Sequence, residues 1–149
     1  MHFTTNLKTS SALAAKLAHH VQKPQLIELV GDLGGGKTAF TKALGKSLGV
    51  AQTITSPTFS IHRGYDFAGG RLEHFDLYRL SDDEVVLNEL QDCLSDQNSI
   101  VVVEWAANFQ NTLASDRLVL EFHYVDDTTR EIIVTAIGAK SQKLLESLE

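Results

Sequence analysis

The 149-residue chain is poor in sulfur and proline, with one cysteine, one methionine and two prolines. A lone cysteine, Cys93, excludes an internal disulfide and a cysteine zinc site. No apolar run approaches the roughly 20 residues of a membrane span, so no membrane role is expected. The opening Met1-His2-Phe3-Thr4-Thr5-Asn6 lacks the basic start and apolar stretch of a secretory signal. Internal repeats, linkers, low-complexity tracts and blocks of five like charges are also missing. Positive charge is scarce: 13 basic residues face 19 acidic ones, for a net charge of −6. That argues against extensive direct nucleic-acid binding, which needs a basic face, and leaves room only for a local basic patch. What is present is ordinary for one globular domain over residues 1–149: 43% apolar and 21% charged residues, with length enough for a real core. A cytoplasmic location is the expectation.

The chain order suggests alternating helices and strands. Thr9 to Val21 has Leu13, Leu17 and Val21 at spacing four and reads as an amphipathic helix, capped by Ser10 or Ser11 and ended by Pro24. Leu26 to Val30 reads as a strand, Gly31 to Gly36 as a loop, and Lys37 to Leu48 as a helix closed by Gly49. Thr53 to Ser60, with Ser56-Pro57, reads as a loop. Phe59 to Tyr65 and Arg71 to Phe75 suggest a hairpin around Asp66 to Gly70. Ser81-Asp82-Asp83-Glu84 opens a short helix, with acids where the helix dipole favours them. Ile100 to Val103 has the β-branched run of a strand buried on both faces. Leu118 to Tyr124 and Glu131 to Ile137 alternate like an antiparallel edge pair, and Ala139 to Leu148 suggests a terminal helix. The sum is an α/β fold with a mixed sheet.

The densest signal is Gly31-Asp32-Leu33-Gly34-Gly35-Gly36-Lys37-Thr38, four glycines followed by Lys-Thr between a predicted strand and a predicted helix. It fits G-x-x-x-x-G-K-[ST]. Such glycines let successive backbone N–H groups turn inward around a phosphate, and the helix behind adds the positive end of its dipole. Lys37 can reach the β- and γ-phosphates, and Thr38 can place its hydroxyl on Mg²⁺. A site of this kind needs a carboxylate for the metal or the attacking water. Glu104 ends the buried strand, at the sheet edge where open α/β sheets bind ligands; alone it also reads as a solvated strand end. Asp76 in His74-Phe75-Asp76-Leu77-Tyr78-Arg79-Leu80 shares a strand face with His74; alone it also reads as a turn cap. Thr58, in the loop after the glycine-loop helix, sits where switch loops sense a γ-phosphate; a loop hydroxyl with no role is the alternative. Trp105 follows Glu104 and so falls near the site, as packing or as a lid or partner contact. Arg79 reads as a surface salt bridge, with Asp76 or a phosphate as further partners. The six histidines show no metal-ligand spacing and read as structural or solvated.

Asp66-Phe67-Ala68-Gly69 matches the D-x-x-G of GTPases, but it falls in a predicted hairpin turn, where Asp and Gly are expected. No N-K-x-D follows anywhere in the chain. Small kinases usually carry an arginine-rich lid, whereas Arg63, Arg71, Arg79, Arg117 and Arg130 are scattered. A small kinase and a nucleotide-gated binding module remain the alternatives to a nucleotide hydrolase.

Together, "GDLGGGKT", "SPTF", "HFDLYRL" and "VEW", in this order and spacing between Gly31 and Trp105, resemble the TsaE family, small bacterial ATPases needed for the threonylcarbamoyladenosine modification of tRNA. The resemblance implies a P-loop NTPase fold with a mixed, largely parallel sheet flanked by helices, and ATP and Mg²⁺ as ligands. It implies that Leu33, Gly34, Gly35, Gly36, Lys37 and Thr38 wrap the phosphates. Thr38 and Glu104 would hold the metal, Asp76 would support metal and water, and Thr58 would be the switch threonine. Trp105 would flank the nucleotide, and the segment around Asn6 would meet adenine. It also implies TsaD and TsaB as partners, with ATP hydrolysis resetting their complex between turnovers and tRNA met only through that complex. Two departures stand out: Gly35 replaces a usual alanine, and the stretch after Leu80 lacks an expected glycine. Asp92, in that stretch, is assigned no role.

Overall fold

The computed structural model describes residues 1–57, 59–80 and 83–149, all but the side chain of Leu7. Its elements in chain order are β1 (His2–Thr5), α1 (Leu7–His20), β2 (Gln25–Gly31), α2 (Lys37–Leu48), β3 (His62–Phe67) and β4 (Gly70–Asp76). They continue with α3 (Glu84–Ser95), β5 (Ser99–Glu104), a 3₁₀ turn (Ala107–Phe109), β6 (Arg117–Tyr124), β7 (Arg130–Ile137) and α4 (Ala139–Ser147). The strands form one mixed sheet of seven in the order β1-β7-β6-β2-β5-β4-β3.

The sheet is parallel only at its centre. β2 runs parallel to both β5 and β6, and β4 runs parallel to β5. The pairs β1/β7, β6/β7 and β3/β4 are antiparallel. The largely parallel sheet implied by the resemblance is therefore corrected to a parallel core with an antiparallel ribbon on each side. Nor are β6 and β7 an edge pair. β6 lies against β2 inside the sheet, and β1, which alternation alone does not single out, covers the outer side of β7.

Burial explains the centre. Ile100 and Val102 of β5 join one core with Ile27 and Leu29 of β2, Leu13, Ala14 and Leu17 of α1, Phe40 and Leu44 of α2, and Leu144 of α4. Val101 and Val103 point the other way, to a second core with Leu26, Phe75, Phe109, and Val86 and Leu90 of α3. A strand buried on both faces has no room for a polar alternation, hence the unbroken β-branched run. Three helices thus cover one face and α3 with the 3₁₀ segment covers the other. None of the described helices is long and apolar enough to cross a membrane.

Helix ends follow local chemistry. α1 starts two residues earlier than spacing suggests, and its cap is Asn6 rather than Ser10 or Ser11. Asn6 Oδ1 accepts from the Lys8 and Thr9 amides at 3.0 Å each, and the Asn6 amide donates back to Thr9 Oγ1 at 2.8 Å. This is a capping box with threonine in the place usually held by Glu or Gln. α2 closes at Gly49, whose φ of 92° lets its amide reach the Gly45 and Lys46 carbonyls. α3 starts at Glu84, capped by the Asp83 carboxylate; Ser81 and Asp82, read as its opening, lie outside the described residues.

Candidate nucleotide site

The parallel centre brings three strand ends to one edge of the sheet: Gly31 of β2, Asp76 of β4 and Glu104 of β5. Between β2 and α2 the glycine loop turns with φ values that side chains rarely adopt. Gly31 (φ 145°) lies so near β6 that a Cβ would sit 2.7 Å from the Phe122 carbonyl oxygen, so only glycine fits. Gly36 (φ 103°) is the N-cap of α2 and supplies no side-chain cap. The amides of that first turn therefore have no side-chain cap and lie at the positive end of the helix dipole, where an anion is favoured.

Lys37 folds back along the loop and is only 5% exposed. Its Nζ donates to the Gly31 carbonyl at 2.6 Å and the Asp32 carbonyl at 2.8 Å, and lies 4.7 Å from the centre of the Trp105 ring. Burial lowers the Lys37 ammonium from its ordinary value, against the opposing pull of Glu104, Asp76 and Asp32. Among the described residues, Trp105 is one of two non-glycine residues with positive φ, at 58°. That turn, placed directly after Glu104, lays the indole beside Lys37 and against Tyr78, whose ring centre is 4.8 Å away. Strain of this kind persists where surrounding structure over-determines it, and it gathers at functional sites.

Leu33, Gly34, Gly35, Gly36, Lys37, Thr38, Asp76, Glu104 and Trp105 line one cleft of about 260 Å³, together with Ser56. The structure thus brings together every site residue expected from the sequence except Asn6 and Thr58; Thr58 lies outside the described residues. Asp76 is buried, lines the cleft and accepts from the Tyr78 amide at 3.0 Å, as the turn-cap alternative expects. Glu104 is 4% exposed, and its Oε1 meets His74 Nε2 at 2.9 Å. The donors Thr38, Asp76 and Glu104 are all hard oxygen ligands, a set that suits Mg²⁺.

Asn6 lines an adjoining cleft that shares Gly35, Gly36 and Ala39 with the first. Phe122, Thr128 and Arg130 form its far wall. These belong to the β6–β7 hairpin and carry no motif. Only the register that lays β6 beside β2 brings them to the loop, which is why sequence reading misses them. Ser56 is likewise missed, although its Pro57 neighbour marks the loop.

Two readings of single residues change. His74 is not merely structural, since its ring meets the site carboxylate Glu104. His62 is held between two carboxylates, Nε2 to Glu73 and Nδ1 to Glu89, at 2.6 Å each. Ligand-type atoms of His62, Glu73 and Cys93 lie within 4.8 Å of one another, a grouping the spacing does not reveal. Both imidazole nitrogens are already engaged, and burial pushes the Cys93 thiol up to about 12, so it stays protonated. None of the five arginines is among the residues that line the glycine-loop cleft. Arg71 pairs with Asp66 and Glu73, Arg117 with Glu28, Arg130 with backbone carbonyls, and Arg63 with Ser60. Arg79, read as a surface salt bridge, lies over the Phe59 ring. Asp66 of the discounted D-x-x-G falls in β3, at the hairpin end.

Comparison with known proteins gives a family and a fold. Residues 4–132 match the family described as "Threonylcarbamoyl adenosine biosynthesis protein TsaE". The chain is 34% identical to a Bacillus subtilis protein named "tRNA threonylcarbamoyladenosine biosynthesis protein TsaE", over 97% of this chain and 90% of that one. A Streptomyces coelicolor protein of the same name is 38% identical over 86% of this chain and 90% of its own length. The fold is similar to the crystal structure of Bacillus subtilis YdiB, with a TM-score of 0.80 and 32% identity, covering 99% of this chain and 93% of that one.

Proposed function

The chain belongs to the TsaE family, and from that premise we propose that it is an ATP-binding and ATP-hydrolysing accessory protein of tRNA threonylcarbamoyladenosine biosynthesis. Residues 1–149 would form one P-loop ATPase domain working in the cytoplasm. The observation that carries the reading is the buried Lys37 ammonium, held at the head of a glycine loop in the cleft that Asp76 and Glu104 also line.

In this reading the amides of residues 33–38 receive the phosphate oxygens, and Lys37 points its remaining donor at the β- and γ-phosphates. Thr38, Asp76 and Glu104 hold Mg²⁺, whose charge, when it is bound, offsets that of the phosphates. Asp76 and Glu104 also orient water, and Thr58 acts as the switch. Trp105 flanks the triphosphate, and the base enters the adjoining cleft at Asn6, whose Oδ1 stays with the α1 amides.

The scarcity of cations supports a role with partners. An arginine finger is worth about 10³–10⁵ in rate, and none of the described arginines lines the glycine-loop cleft. Turnover is therefore slow alone and rises with TsaD and TsaB, whose complex the hydrolysis resets; tRNA is met through that complex. The test is phosphate release from ATP and from GTP, with and without the TsaB–TsaD pair. ATP-specific release that climbs on adding the pair is the expected result. Partner-independent release, or none with either nucleotide, would turn the reading toward a kinase or a binding module.

A further inference from the structure

His74 is fully buried in β4. The register pairs His74 with Val102 and Asp76 with Glu104, so His74 lies diagonally across from Glu104 on one sheet face. Leu72, two residues earlier, and Val102 opposite belong to the apolar core. Into that core the chain sends an imidazole with one polar contact, Nε2 to Glu104 Oε1 at 2.9 Å. Its Nδ1 has no hydrogen-bond partner among the described residues. A buried ring with half its polar capacity unmet is costly, and leucine would fill the position without that cost. An unmet buried group of this kind calls for a reason, and its hydrogen-bond partner among the described residues is a cleft carboxylate.

We propose that His74 is a positioning residue for Glu104, a proposal that rests on the nucleotide reading above. In this arrangement the ring donates an Nε2 proton to Oε1, while Nδ1 faces the core. One carboxylate oxygen is pinned from beneath, and the other is left for the cleft that Glu104 lines. Pinning fixes the side-chain torsions of a glutamate that would otherwise sample several, so the metal meets an oxygen already in place. Supports behind metal ligands are typically worth about 10–100-fold in metal affinity or activity. The Lys37 ammonium acts from the cleft side, and His74 acts from the core side.

The test compares His74→Leu, which fills the space without a donor, with His74→Gln, whose amide can donate to the same oxygen. Trp105, the single tryptophan, reports binding by its fluorescence. ATP affinity in EDTA should change less than about 3-fold in both variants. The Mg²⁺ concentration that half-saturates the ATP complex should rise about 10-fold or more in the leucine variant, and glutamine should restore most of it. Ring nitrogen shifts of the unaltered, nucleotide-free protein should show the proton on Nε2, a measurement independent of how either variant folds. A leucine variant with an unaltered Mg²⁺ curve, or a ring whose Nε2 carries no proton, overturns the proposal. Glutamine failing as fully as leucine, with equal thermal midpoints, overturns it too. An unaltered protein that binds no ATP is a different result, because it removes the nucleotide reading itself.

Discussion

Replacing Lys37 with methionine removes one ammonium and leaves a chain of similar reach. An ammonium has three donors. In the structure two of them are committed, to the carbonyls of Gly31 at 2.6 Å and Asp32 at 2.8 Å. One donor is left for a phosphate oxygen. If the lysine keeps both carbonyls when ATP enters, the variant loses one charge-assisted hydrogen bond, about 1.5–3 kcal/mol. That is about a 10- to 150-fold rise in Kd. If the lysine instead abandons the carbonyls and turns all three donors to phosphate, the loss should exceed about 10³-fold. Titration calorimetry with ATP separates the two, and denaturant unfolding checks that the variant is folded. A change in Kd of less than about 3-fold would refute the argument outright, since the ammonium would then not face phosphate at all.

Two further outcomes follow from buried charge. Glu28 is 5% exposed, and its carboxylate accepts from Arg117 Nε at 2.9 Å and Gln110 Nε2 at 2.7 Å. Arg117→Met leaves that carboxylate buried with one neutral donor and should cost about 3–5 kcal/mol in urea unfolding, with Glu28→Gln/Arg117→Met recovering part of it; a loss below about 1 kcal/mol would show that water replaces the arginine. At His62, burial disfavours the charged ring, but the bonds to Glu73 and Glu89 outweigh it and raise the group above its ordinary 6.5. Its contribution is complete below that value and fades as pH climbs through the raised one. For Glu73, burial disfavours the carboxylate, yet bonds from His62 and Arg71 lower it below its ordinary 4.5, so its share is present above that value and is lost as pH falls through the lowered one. The stability gap between the unaltered protein and His62→Gln should therefore be widest between about pH 4.5 and 6.5 and should close on the alkaline side. A gap that stays constant from acid to alkaline pH would mean that the ring is held by shape alone.

Local rules carried the centre of the molecule. β5 is legible because a strand buried on both faces needs an unbroken apolar run, and α2 is legible because glycine marks both of its ends. The cleft residues are legible because the glycine loop and the two carboxylates stand at strand ends. What was hidden depends on register. β1 has four residues, and nothing local says that it pairs with β7. The cap at Asn6 was hidden because threonine closes the box. His74 reads from the sequence as structural or solvated, because its link to Glu104 spans 30 positions and exists only through the pairing of β4 with β5.

The same register explains why the cleft is rich in acids and poor in cations. Parallel strands that end together deliver their last residues to one place, and here those residues are Asp76 and Glu104. The one lysine beside them is partly consumed by its own loop; four arginines are held by acids, a hydroxyl and a ring elsewhere, and Arg130, held by backbone carbonyls, lines the adjoining cleft rather than this one. Two carboxylates facing a triphosphate repel it unless positive charge intervenes. Under the proposed function that charge comes first from Mg²⁺, which the acidic edge attracts. The rest must come from outside the cleft. A partner that inserts a cation beside Trp105 would meet the charge that develops as the terminal phosphate leaves. An acid-lined cleft short of arginine can bind nucleotide in the presence of metal and still hydrolyse it slowly, which makes the rate, rather than the affinity, the quantity a partner would control.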